Sequence, residues 1–195
     1  MRFPQNARPN VMPREEKEAR LRAFITNHLD SHRASGVAPG VTTYRLLALS
    51  SESPVARAFA ELAPEITAAG ISMQAVLTRR DSQAMPEGID CRFVTDVRVL
   101  DAHEQLVLDR ATAWLGDCMR RDPLKRDAYE LYSDSPVTAG YASRSFTQIW
   151  DAAGPMGSLA SERRWTSLRQ ASLFDPMLIA GAEAMVAQRT LPIRH

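Results

Sequence analysis

The chain has 195 residues, of which 45% are hydrophobic, and its 24 basic and 23 acidic side chains leave a formal net charge of +1. A chain of this length buries about 70% of its unfolded surface, which suffices for a core without disulfides or metals. The near-neutral charge argues against a general polyanion binder, although it leaves room for a local basic patch and therefore for nucleic acid as a partner.

The cysteines and the apolar runs indicate the compartment. Cys91 and Cys118 lie far apart and neither belongs to a CxxC pair, so buried free thiols are expected rather than a disulfide or a zinc site. The first residues carry arginines without an apolar segment, so no secretory signal is predicted. No run approaches the roughly 20 apolar residues of a membrane span. We therefore expect a cytoplasmic protein with no membrane contact.

The chain is predicted to begin with an arm and a helix. Residues 1–12 hold two prolines and little periodicity, which predicts a flexible arm before a single domain over 13–195. A helix is predicted over about 13–34, because apolar residues recur at helical spacing and Gly36 follows as a stop.

Two histidines of that helix lie four positions apart, a spacing that could hold a metal ion. The familiar zinc pattern has glutamate one position after the first histidine, where this chain has Leu29 between His28 and His32. The sequence places no third ligand, so surface or edge histidines are expected, and no metal or cofactor is predicted.

A strand–helix–strand unit follows. Strands are predicted over 41–49 and 71–78, with a helix beginning at Ser53-Pro54 and interrupted at Pro64. Such a unit predicts a parallel pair of strands. The intervening turn, SSESP, lacks the glycines of a dinucleotide or phosphate loop, so nucleotide sites of those kinds are not expected.

The remaining elements complete an α/β fold, with α+β as the alternative, in which a mixed sheet is flanked by helices. Two apolar runs are expected to pair as a hairpin around Asp109, whose side chain suits the turn. The predicted strands are 91–95, 105–109, 112–116 and 128–132, and helices are predicted over about 135–153, in the region from 158 to 173 and over 177–188.

The middle of the chain has an ordered set of motif residues. A histidine and a polar residue precede an apolar strand, an aspartate, a second apolar strand, a glycine turn and a strand with glutamate. The pieces are His103-Glu104-Gln105, Leu106-Val107-Leu108, Asp109, Ala113-Trp114-Leu115, Gly116-Asp117 and Tyr129-Glu130-Leu131. This order resembles the phospholipase D superfamily, in outline over 41–153 and in motifs over 103–130.

The resemblance implies a chemistry and a symmetry. In that superfamily one histidine attacks phosphorus to form a covalent intermediate, and a second protonates the leaving oxygen. A lysine two residues after the histidine neutralises the phosphate, and small polar residues after the glycine add hydrogen bonds. Two motifs face each other across a twofold axis, so a chain with one motif is implied to be a homodimer with a phosphate-containing ligand.

This chain departs from that pattern. His103 matches the nucleophile and Gly116 the turn glycine, but Gln105 stands where the lysine belongs and Asp117 where a serine belongs. A carboxylate about 4 Å from a phosphate costs on the order of 1 to 4 kcal/mol at the dielectric of a protein surface. The standard catalytic set is therefore incomplete.

Two arginines could compensate for part of this loss. Arg120, in the place of an asparagine, and Arg121 could bind phosphate through their guanidinium groups. The first hypothesis is a catalytically degenerate phospholipase D-like protein that acts in binding or scaffolding. The alternative is a phosphodiesterase or nuclease with His103 as nucleophile and with Gln105, Asp117 and both arginines around the ligand. Equally, His103 could be a structural residue bonded to a backbone carbonyl.

Overall fold

A computed structural model describes residues 13–36, 38, 40–79, 85–94, 102–119 and 130–155. In chain order its elements are α1 (Arg14–Ser35), β1 (Thr43–Ala48), α2 (Pro54–Glu61), α3 (Ala63–Ala68), β2 (Ser72–Leu77), β3 (Ile89–Phe93), β4 (His103–Val107), β5 (Thr112–Cys118), β6 (Leu131–Asp134), α4 (Pro136–Ala152) and β7 (Gly154–Pro155). The predicted arm at 1–12 and the two predicted C-terminal helices lie outside the described residues.

The strands form one mixed sheet in the order β6-β5-β4-β1-β2-β3-β7. The central strands β1, β2 and β3 are parallel, with Thr43 opposite Ser72 and Ala48 opposite Leu77. The neighbours added on either side, β4, β5, β6 and β7, are each antiparallel to the strand they join. The chain therefore has the predicted α/β fold with a mixed sheet flanked by helices, and the predicted parallel pair is confirmed.

Helix α1 forms where the apolar periodicity predicts it. Its inward positions Leu21, Ile25 and Leu29 are fully buried, and it ends at Gly36 in the left-handed conformation with φ of 65°. Three buried Leu or Ile side chains, each stabilising the fold by about 1.5–3 kcal/mol, fix this helix on the sheet.

The two faces of the sheet carry separate cores. One core holds residues of α1, α2 and α3 together with Leu46 and Trp114 of the strands. On the other face α4 packs through Phe146 and Trp150 against strand residues such as Leu47. Successive strand residues point to opposite faces, so a residue's position along its strand decides which helices it meets.

The elements differ from prediction mainly at their ends. The strand predicted at 128–132 is observed at Leu131–Asp134, and the hairpin strand β4 begins two residues earlier than predicted. The two-residue strand β7, Gly154–Pro155, has no apolar alternation, and the sequence does not predict it. Near it, the guanidinium of Arg92 lies 3.9 Å from the centre of the Trp150 ring and donates to that residue's carbonyl, which holds the end of α4 to β3.

None of the described helices combines the length and the apolar character of a bilayer span.

Candidate functional site

Three of the candidate residues, His103, Gln105 and Asp117, lie toward the end of the sheet at which β1 ends and β4 begins. Because β4 is antiparallel to β1, with Leu47 opposite Gln105, the first residues of β4 lie beside the last residues of β1. From β1 the sheet grows in one direction through β2 and β3 and in the other through β4. In open α/β sheets ligands usually bind beyond the carboxyl ends of parallel strands, and here β1 presents its carboxyl end whereas β4 presents its amino end.

His103 opens β4 and is bonded to the neighbouring strand. Its Nδ1 lies 2.7 Å from the carbonyl oxygen of Gly116 in β5. Since a carbonyl only accepts, Nδ1 donates and carries the proton, and in the neutral ring the basic nitrogen is Nε2. A bond of this kind, to a backbone carbonyl, is what we expect if His103 has a structural role. It also fixes the orientation of the ring.

Gln105 belongs to the core between the sheet and α4. It is 1% exposed, and its Nε2 donates to the carbonyl oxygen of Ala142 in α4 at 3.2 Å. A buried amide needs such partners, because leaving one unpaired costs about 1–3 kcal/mol. The position at which the resemblance calls for a phosphate-binding lysine is therefore occupied by a side chain that ties a strand to a helix.

Asp117 forms an ion pair with Lys17, a residue that the sequence does not mark as part of a site. The Nζ of Lys17, in the first turns of α1, donates to the Asp117 carboxylate at 2.9 Å and lies 5.3 Å from the centre of the Trp114 ring. The Lys17 side chain is 10% exposed and that of Asp117 39%. Lys17 stands among Glu15, Glu16 and Glu18, a setting typical of a solvated helix turn, so the sequence offered little signal for it.

A bulge in β5 puts Gln105 and Asp117 on opposite faces of the sheet. His103 pairs with Cys118 and Gln105 with Leu115, so three steps along β5 oppose two along β4. Gln105 bonds to α4, whereas Asp117 bonds to α1. The structure therefore does not bring these two predicted ligand residues together. Arg120 and Arg121 lie outside the described residues.

Glu104 lies beside the start of α2. It is 6% exposed, and its Oε1 accepts from the backbone N–H of Leu49 at 3.0 Å, while the hydroxyl of Ser53, the N-cap residue of α2, also bonds to it. Burial raises the pKa of Glu104, Asp117 adds to the rise, and the bonds from Ser53 and Leu49 and the charge of Lys17 oppose it. The carboxyl group of Glu104 therefore lies close to the N-terminus of α2, a position that would otherwise favour an anion from solution.

We expect Glu104→Gln to raise the free energy of unfolding increasingly as the pH rises above 4.5, the ordinary pKa of glutamate. Because the folded-state pKa of Glu104 is raised, its contribution to stability is present below pH 4.5 and is lost as the pH rises through the folded-state value. The glutamine keeps a carbonyl for Leu49 and removes this loss. Urea unfolding of both proteins across that range measures the effect, with Glu87→Gln on an exposed turn as control. Parallel pH profiles for wild type and Glu104→Gln would contradict the burial of a titrating carboxyl.

The helical histidines hold α1 to the opposite end of the sheet. His28 Nδ1 lies 2.6 Å from the hydroxyl of Tyr44, and its Nε2 lies 2.9 Å from the carboxylate of Asp109. His32 Nε2 lies 3.1 Å from the hydroxyl of Thr42. The Tyr44 residue is fully buried, and burial and Asp109 raise the pKa of its hydroxyl. Through these contacts His28 and His32 attach α1 to β1 and to the turn after β4.

Asp109 is the turn residue that the sequence predicts. Its Oδ1 accepts from the backbone N–H groups of Ala111 and Thr112 at 2.7 and 2.6 Å. Burial alone would raise the pKa of Asp109, but the hydrogen bonds from His28, Ala111 and Thr112 outweigh it and lower that pKa. Within the described parts of the chain, no three His, Cys, Asp or Glu side chains are grouped so that they could hold one metal ion.

No protein-family model matches the sequence, and no curated protein is significantly similar to it. Among solved structures it is similar to TrmBL2, described as an archaeal chromatin protein with a novel mode of DNA binding, at 10% identity and a TM-score of 0.44. The likeness covers 69% of this chain and 51% of that chain, so this chain spans about half the length of that protein.

Proposed function

We propose that this chain is a catalytically degenerate phospholipase D-like domain that acts in binding or scaffolding rather than in phosphodiester hydrolysis. The observation that carries the proposal is the environment of Gln105, which is buried and donates to the carbonyl oxygen of Ala142. A phosphodiesterase of the resembled kind needs a cation at that position to neutralise the phosphate. Here the side chain is uncharged and is used to join β4 to α4.

The charged side chains near the carboxyl end of β1 also support a binding role without hydrolysis. The ammonium group of Lys17 is paired with Asp117, and the carboxyl of Glu104 lies beside the N-cap residue of α2. A phosphate on the α1 side of the sheet would meet the Asp117 carboxylate, which is already paired with Lys17, and the buried carboxyl of Glu104, which offers no positive charge. Repulsion between the phosphate and the Asp117 carboxylate at about 4 Å disfavours that ligand by on the order of 1 to 4 kcal/mol.

One observation favours the second candidate, a phosphodiesterase or nuclease that uses His103. The bond from Nδ1 to the Gly116 carbonyl makes Nε2 the basic nitrogen, as a nucleophilic imidazole requires. Such an enzyme would need its positive charge from elsewhere, and Arg120 and Arg121 are the residues proposed for that role. A homodimer would bring two copies of His103 together in this candidate.

Hydrolysis of bis-(p-nitrophenyl) phosphate distinguishes the two candidates. We expect wild type and His103→Ala to give the same rate as buffer, because the site lacks a cation at Gln105. His32→Ala is the matched control, since His32 bonds to Thr42 at the other end of the sheet. A wild-type rate at least tenfold above that of His103→Ala, with His32→Ala retaining it, would establish the enzyme and overturn the proposed binding role.

A further inference from the structure

The sheet face on the side of α4 has a polar half that this helix does not cover. Helix α4 packs on the carboxyl-terminal halves of the central strands, at residues such as Leu47 and Val76, and among the described residues it is the only helix on this side. Because side chains alternate along a strand, the same face continues at every second residue toward the amino ends of these strands. The residues of this polar half-face are Thr43 and Arg45 in β1, Ser72 and Gln74 in β2, and Asp90 in β3.

Arg45 lies at the centre of the polar half-face. It stands opposite Gln74 of β2 and Val107 of β4, and Gln74 in turn stands opposite Asp90 of β3. The Arg45 residue is partly buried, and no acidic side chain within the described ranges forms an ion pair with it. A guanidinium that has lost part of its hydration is stabilised by a carboxylate partner, so an acidic group brought to this position would be favoured.

The architecture predicts a cover for this surface. Parallel strands occur almost only in sheets with both faces covered, and β1, β2 and β3 are parallel. Their other face is covered by α1, α2 and α3. The polar half-face is therefore an unpartnered surface in the part of the chain that the structure describes.

The chain leads from β7 toward this surface. Because β7 is antiparallel to β3, with Pro155 opposite Arg92, it runs toward the amino end of β3 and toward Asp90. Residues 156–195 continue from this point. Strand β1 lies three strands from β7, about 15 Å at the usual spacing, so a segment of this length can reach it.

One part of that segment is complementary to the surface. The helix predicted over 177–188, MLIAGAEAMVAQ, is apolar apart from Glu183 and the terminal Gln188. A single carboxylate in an apolar helix can be buried only if it is paired, and the polar half-face has a single arginine, Arg45. At 1.5 Å per residue the helix is about 18 Å long, enough to cross the three parallel strands, which span about 10 Å.

We propose that residues 177–188 pack across the polar half-face and that Glu183 forms an ion pair with Arg45. In this arrangement the aliphatic part of the Arg45 side chain lies under the apolar residues of the helix, and its guanidinium meets the carboxylate. The central strands are then covered on both faces. The packing is independent of the proposed binding role, because no residue near His103 takes part in it.

A double-mutant cycle in the full chain tests the ion pair. Arg45→Ala and Glu183→Ala should each raise the equilibrium constant for unfolding, measured with urea, about tenfold. The double variant should stay within about threefold of either single variant, because both substitutions remove the same contact. Glu162→Ala, which removes an acid outside the predicted helix, is the matched control and should combine additively with Arg45→Ala.

NMR of the Arg45 Nε–H group gives a second measurement that a general loss of stability would not reproduce. Its signal should shift in Glu183→Gln and stay unchanged in Glu162→Gln. Additive effects of Arg45→Ala and Glu183→Ala, or an Arg45 signal indifferent to Glu183→Gln, would overturn the proposal. So would a coupling that grows with protein concentration, because it would assign Glu183 to a second copy of the chain.

Discussion

Gly116→Ala is expected to destabilise the domain by about 3 kcal/mol or more, which for a small domain is a large part of the total. An added Cβ would lie 2.0 Å from Cη2 of Trp114 and 2.4 Å from Cζ2. Trp114 is fully buried in the core under α1, so moving its ring aside would disturb the side chains packed around it. Urea unfolding followed by tryptophan fluorescence measures the change.

A double-mutant cycle identifies the cause of that loss. Trp114→Leu shortens the side chain that the new methyl group would strike, so in that background Gly116→Ala should cost less than about 1 kcal/mol. Trp114→Leu is itself destabilising because it opens space in the core, and the coupling is therefore read from the difference between backgrounds. Additive costs for the two substitutions would show that the ring does not limit position 116.

Gln105→Lys, which supplies the lysine that the resemblance calls for, is expected to cost about 3 kcal/mol or more. The side chain at 105 is 1% exposed and faces α4, so an ammonium group there would lose its hydration and meet the uncharged carbonyl of Ala142. Thermal and urea unfolding at neutral pH measure the loss. No phosphodiesterase activity is expected to appear.

Gln105→Met is the matched control for the lysine variant. It has similar length, carries no charge and loses the hydrogen bond to the Ala142 carbonyl, so a cost of about 1 kcal/mol is expected. If the lysine variant were as stable as the methionine variant, the side chain at 105 would reach solvent or a ligand, which would contradict its role in joining β4 to α4.

The sequence was sufficient to predict the architecture because the elements have strong local signals. Helical spacing placed Leu21, Ile25 and Leu29 on the buried face of α1, and the two apolar runs on either side of Asp109 formed the hairpin. The parallel pair β1 and β2 followed from the strand–helix–strand order. Each of these features depends on residues that are near one another in the chain.

The arrangement of the candidate site could not be predicted in the same way. The regular alternation of side chains along a strand does not predict the bulge between Leu115 and Cys118 in β5. That bulge determines which helix Asp117 contacts. The partner of Asp117 is Lys17, a hundred residues earlier in the chain. Likewise, Gln105 meets Ala142 only through the packing of α4 on the sheet. Such contacts depend on tertiary geometry, which composition and spacing do not encode locally.

The polar groups near the carboxyl end of β1 are expected to bond to the protein itself rather than to a phosphate. NMR of the Gln105 side-chain amide and the His103 ring during titration with inorganic phosphate tests it most directly. We predict a Gln105 amide that exchanges slowly with water and signals of both residues that do not shift as phosphate is added. Saturable shifts of both residues, absent for the distant ring of His32, would contradict the claim and favour a phosphate site at His103.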